Sequence, residues 1–130
     1  MIVVDATVAL RAAAAPGGFD VLASHDPVAP ALMWSEATSA LSEALWRGDI
    51  GSSLAAQTRQ ALLGAPISRQ APRRLLDEAW SVARELGWAK TYDAEYVALA
   101  RLCGCRLVTL DARLRRGAAR AIEVIGPAEL

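Results

Sequence analysis

The sequence predicts one α/β domain over residues 1–130, with about five mainly parallel strands covered by helices on both faces. Three observations predict it. Short β-branched runs alternate with longer helical patterns along the whole chain. Glycine and proline punctuate the ends of the helical segments. Four short segments end on a carboxylate, at Asp5, Glu36, Asp93 and Asp111, two after strand-like runs and two near helix starts.

The elements follow in order. Residues 1–4 are a β-branched run too brief for a helix, a buried strand ended by Asp5. Residues 7–15 are alanine-rich and helical, stopped by Pro16, Gly17 and Gly18. Residues 19–23 form a short helix, and residues 26–30 an extended link with a brief strand between prolines. Over residues 31–47, Leu32, Ala37, Ala40, Leu41, Ala44 and Leu45 recur with a helical period that Gly48 ends. Ser52 or Ser53 caps a helix through Leu63, closed by Gly64. Residues 66–70 are a weak strand. Pro72 suits the first position of a helix to Leu86, and Gly87 its stop. Thr91 caps a helix over residues 92–102, which Gly104 ends. Residues 106–110 are the clearest later strand, residues 111–116 a short helix, and residues 121–125 a last strand. No repeat or linker divides the chain.

Composition excludes several classes. A hydrophobic share of 54% and a mean hydropathy of +0.25 describe a chain able to bury a core. No apolar run is long enough to span a bilayer, and Asp5 inside the first ten residues argues against a signal peptide, so a cytoplasmic protein without membrane contact is expected. Zero net charge argues against a basic coat protein for nucleic acid. Arginine is nonetheless concentrated at 101, 106, 113, 115, 116 and 120, and again at 69, 73 and 74. Guanidinium groups suit phosphate, although an alanine- and arginine-rich composition accounts for most of the excess. Cys103 and Cys105 flank Gly104; C-x-C closes no ordinary disulfide and lacks the second pair of a zinc site, so reduced thiols are expected.

The acids carry the chemistry. In an open parallel sheet, ligands sit beyond the carboxyl ends of the strands. Asp5 and Asp111 lie at such ends, and the helices bearing Glu36 and Asp93 begin at the same rim. Singly, Asp5 and Asp111 serve as helix caps, and Asp93 complements a helix dipole. Glu36 has no basic partner one turn on, whereas Glu43 pairs with Arg47. Four acids on one rim suit a hard divalent cation held through oxygen. Thr109, two residues before Asp111, and Thr7, two after Asp5, are positioned to hydrogen-bond an acid or a water. Of the four tryptophans, Trp34 and Trp88 stand near Glu36 and Asp93 as candidates for substrate or partner contact, with core packing the competing use; Trp46 and Trp80 belong to core or interface. His25 is a loop histidine with no general-base role.

The segments Val4-Asp5-Ala6-Thr7, Ser35-Glu36-Ala37-Thr38, Tyr92-Asp93-Ala94-Glu95-Tyr96-Val97-Ala98-Leu99-Ala100 and Val108-Thr109-Leu110-Asp111 resemble those of PIN domains, most of all the small VapC-like ribonuclease toxins of toxin–antitoxin pairs. The resemblance runs from Met1 to about Ile125, and all four acids are kept. It implies a three-layer α/β/α fold in which Asp5, Glu36, Asp93 and Asp111 hold one or two Mg²⁺ or Mn²⁺ ions. It also implies hydrolysis of RNA phosphodiesters, a homodimer, and neutralisation by a cognate antitoxin that inserts an arginine among the acids or covers the groove. Independently, the helices over residues 31–47 and 52–63 are apolar over more surface than one sheet face covers, which suggests an interface. A housekeeping RNA-processing nuclease and a non-catalytic binding module on the same fold are the competing expectations. Chain length favours the toxin over the first, and the intact quartet disfavours the second.

Overall fold

The structure, a computed structural model, describes all 130 residues. The strands β1 (Ile2–Val4), β2 (Pro27–Ala29), β3 (Ser68–Arg69), β4 (Arg106–Val108) and β5 (Val124–Ile125) form one parallel sheet in the order β3-β2-β1-β4-β5. β1 is central, with Val3 opposite Val28 on one side and Leu107 on the other. All three of its residues are buried, as a strand covered on both faces requires.

The helices are α1 (Ala6–Ala14), α2 (Asp20–Ala23), α3 (Leu32–Trp46), α4 (Ser52–Leu63), α5 (Leu75–Leu86), α6 (Tyr92–Cys103) and α7 (Ala112–Ala118), and a 3₁₀ turn, Pro127–Glu129, follows β5. The chain steps outward from β1 through β2 to β3, then returns past β1 to β4 and β5. Right-handed crossovers running in opposite directions put their helices on opposite faces. The packing agrees: α1, α3 and α4 contact one another, and α5 packs on α6, which rests on β1 and β4. The result is a three-layer α/β/α fold. β1 and β4 are neighbours whose connections leave to opposite sides, so the crevice beyond their carboxyl ends is the natural ligand site.

The run after Asp93 has a structural use as well. Ala94, Tyr96, Val97, Ala98, Leu99 and Ala100 are all buried, because α6 is sandwiched between the sheet and α5. Its alanines allow the close approach. Arg101 ties the pair at its outer edge, reaching Glu85 at 2.9 Å and Glu78 at 3.3 Å.

Several local expectations need correction. α5 begins at Leu75; Pro72 sits in the preceding turn, its carbonyl accepting from the Leu75 N–H. Gly51, not a serine, holds the cap position of α4. Thr91 stands at the cap position of α6 but its side chain makes no capping bond, the backbone there being at ψ −2° rather than extended. β4 stops at Val108, where Thr109 turns its hydroxyl to the rim. Gly87, at φ 72°, ends α5 in the left-handed conformation and turns the chain into the wall of the rim crevice.

Candidate active site at the carboxyl rim

Asp5 leaves the end of β1 and is only 3% exposed. It caps α1, its Oδ1 accepting from the Val8 N–H at 3.1 Å. The Thr7 hydroxyl donates to the same oxygen at 2.6 Å, and the Thr109 hydroxyl donates to Oδ2. The direction of these bonds is settled by their other partners. Thr7 Oγ1 accepts from the Leu110 N–H at 3.1 Å, and Thr109 Oγ1 accepts from the Asp111 N–H at 3.0 Å. Each hydroxyl has one proton, and each gives it to Asp5. The two threonines therefore lock the Asp5 carboxylate to the backbone turn after β4. Burial pushes the Asp5 carboxyl above its ordinary range; the hydrogen bonds oppose that, and nearby Asp111 adds to it.

Glu36 lies in the second turn of α3, and its Oε1 accepts from the Tyr96 hydroxyl at 2.6 Å. Its carboxyl is raised by burial first, against the Tyr96 bond, and then by Asp93 and Asp5. Asp93, the second residue of α6, is exposed as a residue, yet its carboxyl is partly desolvated. That desolvation raises it most, followed by repulsion from Asp111 and Asp5, while Arg113 pulls it down. Asp111 caps α7, with both bonds, from the Arg113 N–H at 2.8 Å and the Leu114 N–H at 3.2 Å, falling on Oδ1. Capping and clustering thus go together: Asp5 and Asp111 cap helices that start at the same rim, and Asp111 also lines the crevice there.

Asp5 and Asp93 each lie within electrostatic range of the other three acids, so the four form one connected cluster. A groove of about 520 Å³ is lined by three of them, Glu36, Asp93 and Asp111, together with Trp88, Lys90, Tyr92 and Arg113; the buried Asp5 is not part of its lining. No three of the carboxylates, as their side chains stand, are close enough to form a ready-made ligand cage. The donor chemistry still fits a hard cation: every ligand is a carboxylate oxygen, and Mg²⁺ keeps several waters and takes only one or two carboxylates directly. Mutual repulsion and raised carboxyls mark a cluster that binds protons or cations in preference to standing bare.

Two participants escape a search for strand-end acids. Tyr96, 1% exposed, supports Glu36 from the opposite helical layer. Glu95 is a fifth carboxyl, raised by burial and then by Glu36. The i,i+3 spacing of Asp93 and Tyr96, which puts both on one helix face, is the signal for the tyrosine.

Other candidates fall elsewhere. Of the six arginines over residues 101–120, Arg101, Arg106 and Arg115 are held in ion pairs with glutamates, and Arg120 binds the Glu85 carbonyl. Only Arg113 reaches the groove. Arg69 stacks on Trp34, 4.7 Å from the ring centroid. Trp88 packs against the core and crowds Gly117, where a Cβ would meet the ring at 3.1 Å. Trp46 and Trp80, expected in core or interface, are 88% and 60% exposed. His25 precedes β2 at the opposite rim, beside Asp26, whose carbonyl accepts from the Ile2 N–H.

Comparison with known proteins agrees with the fold. The family described as PIN domain matches residues 2–120. Ribonuclease VapC9 of Mycobacterium tuberculosis is 34% identical over 115 residues, covering 88% of each chain. VapC ribonuclease Mb0985 of Mycobacterium bovis gives the same identity and coverage. Among solved structures, PAE2754 from Pyrobaculum aerophilum superimposes with a TM-score of 0.75 at 26% identity, over 98% of this chain and 84% of that one.

Proposed function

This chain belongs to the PIN domain family, and on that premise we propose that it is a metal-dependent endoribonuclease, the toxin of a toxin–antitoxin pair. The observation that carries the chemistry is the gathering of Glu36, Asp93 and Asp111 in one groove, with the buried Asp5 close enough to raise the Glu36 and Asp93 carboxyls. Mg²⁺ or Mn²⁺, one ion or two, supplies charge neutralisation and water activation when bound. Asp5 Oδ1 already accepts two hydrogen bonds and Oδ2 one, so Oδ2 keeps the lone pair that a cation would use. Asp93, Glu36 and the free oxygen of Asp111 complete the donor set. Thr7 and Thr109 fix the Asp5 carboxylate in direction, as supporting hydrogen bonds do for metal ligands. Lys90 and Arg113, on the groove wall and in no ion pair, hold the RNA phosphate over the acids. The reaction is hydrolysis of an RNA phosphodiester bond within the strand.

The partners are an RNA substrate, a cognate antitoxin and a second copy of the chain. Leu45 and Trp46 at the end of α3, with Leu54 and Leu63 on α4, leave apolar surface exposed that suits a protein interface. No helix is long and apolar enough to cross a membrane, and the site of action is the cytoplasm, where RNA and antitoxin meet.

The test is expression of the chain alone and together with any small gene found beside its own, alongside cleavage by the purified protein. Growth arrest should appear alone, disappear on co-expression, and be absent with Asp5→Ala; cleavage should require Mg²⁺ or Mn²⁺ and stop with EDTA. A folded, active nuclease without toxicity would point instead to RNA processing. Metal-independent cleavage would remove the acid site from the reaction.

A further inference from the structure

We propose that Tyr92 is a stacking platform for an unpaired base beside the scissile phosphate, so that the groove admits the cut nucleotide only from single-stranded RNA. The inference rests on the ribonuclease function above and specifies how its substrate is held. Tyr92 is the first residue of α6 and precedes Asp93, so its ring is tied to the acid cluster by one peptide unit. It lines the acidic groove and is 57% exposed. Its hydroxyl enters none of the side-chain hydrogen bonds around the site, whereas the Tyr96 hydroxyl is committed to Glu36.

The other aromatic rings near the rim are already engaged. Trp88 is packed against the core and Gly117, and Trp34 lies under Arg69. Of the two rings that line the groove, Trp88 is half-buried and held on one side by Gly117, whereas Tyr92 is exposed with nothing stacked on it. The same groove carries Lys90 and Arg113, neither of them ion-paired. Cationic side chains that track the backbone, next to an aromatic ring for a base, are what single-stranded nucleic acid requires. In an A-form duplex the bases are stacked on one another, and their faces are closed to a side chain. A base must therefore be splayed out to meet Tyr92.

The experiment uses the full chain and an oligoribonucleotide it cleaves, with an abasic residue placed in turn at each position flanking the cut. In the wild-type chain, one of these replacements should lower kcat/KM by about 5- to 150-fold, the range alanine substitution of a stacking aromatic produces. In Tyr92→Ala, which starts lower on the intact strand, that replacement should cost nothing further, and Tyr92→Phe should restore the penalty. Anisotropy of a labelled strand in EDTA should show the same pattern in binding, free of any effect on the chemical step. Tyr92→Ala retaining the full abasic penalty would overturn the platform, as would equal cleavage of a strand and its perfect duplex. Failure of the wild-type chain to cleave either RNA or bis(p-nitrophenyl) phosphate with Mg²⁺ or Mn²⁺ removes the ribonuclease function, and the platform with it.

Discussion

The Tyr96 hydroxyl donates to Glu36 at 2.6 Å, so a buried residue of α6 holds a catalytic candidate on α3 from the other side of the sheet. The bond stabilises the carboxylate form of Glu36 against burial and the repulsion of Asp93 and Asp5. It also couples the two helical layers at the rim where the acids meet.

Tyr96→Phe keeps the packing and removes this bond. A hydrogen bond to a charged group contributes about 1.5–3 kcal/mol, and partial exposure of Glu36 places the loss near the lower figure. Tyr96→Ala adds a cavity and should cost about 3–5 kcal/mol. Urea unfolding of the metal-free protein measures both; a full loss in Tyr96→Ala with none in Tyr96→Phe would show that the ring, not the hydroxyl, is what matters.

Thr109→Val is close to isosteric and deletes the proton given to Asp5 Oδ2 while leaving the Asp111 N–H unpartnered. Losing a hydrogen bond that orients a metal ligand costs about 10- to 100-fold in metal affinity or activity. Calorimetric titration with Mn²⁺ checks this directly. Unchanged affinity would reduce the threonine to a turn-forming residue.

Asp93→Asn retains the size of the side chain and should abolish metal-dependent cleavage while leaving the fold intact. Glu36→Gln and Asp111→Asn should instead raise the metal concentration needed for half-maximal cleavage. A wild-type metal titration for Glu36→Gln would leave Glu36 outside the site.

The acids predict an unusual pH dependence. Asp5, Glu36, Asp93 and Glu95 all have carboxyls raised in the fold above the ordinary values of 3.8 for Asp and 4.5 for Glu. Between those values and the raised ones, the folded chain binds more protons than the unfolded chain, so stability falls as pH rises. Below the ordinary values the contribution is fully present, and above the raised ones it is lost. In EDTA the melting temperature should therefore fall as pH rises from the ordinary carboxyl range toward neutrality, and Mg²⁺ should restore it at neutral pH by linkage. A metal-free protein that gains stability across that range would contradict the clustering.

Trp46, 88% exposed at the end of α3, should matter for assembly and not for the fold. Trp46→Ser is predicted to change monomer stability by no more than about 0.5 kcal/mol. Sedimentation velocity should show a dimer for the wild-type chain shifting toward monomer in this variant. A monomeric wild-type chain would leave that face to the antitoxin alone.

Much was legible in the sequence because it depends on local chemistry. The β-branched run before Asp5, the glycines that stop α5 and α6, and the alternation of strand and helix all act within a few residues, and they determined a parallel sheet with acids at its carboxyl rim. Thr7 and Thr109 were legible as neighbours of acids for the same reason. Cap details were not: the ψ near 0° at Thr91 and the late start of α5 at Leu75 are set by how each helix docks, not by its first residues. Tertiary structure alone decided which side chains are free. It spent Arg101, Arg106, Arg115 and Arg120 on internal partners, left Arg113 at the groove, buried the tyrosine at 96 and exposed the one at 92. A pattern along the chain specifies the face a residue takes on its own helix. What covers that face, and hence whether a charge or a ring remains for a ligand, follows only when segments as far apart as Glu36 and Tyr96 are packed together.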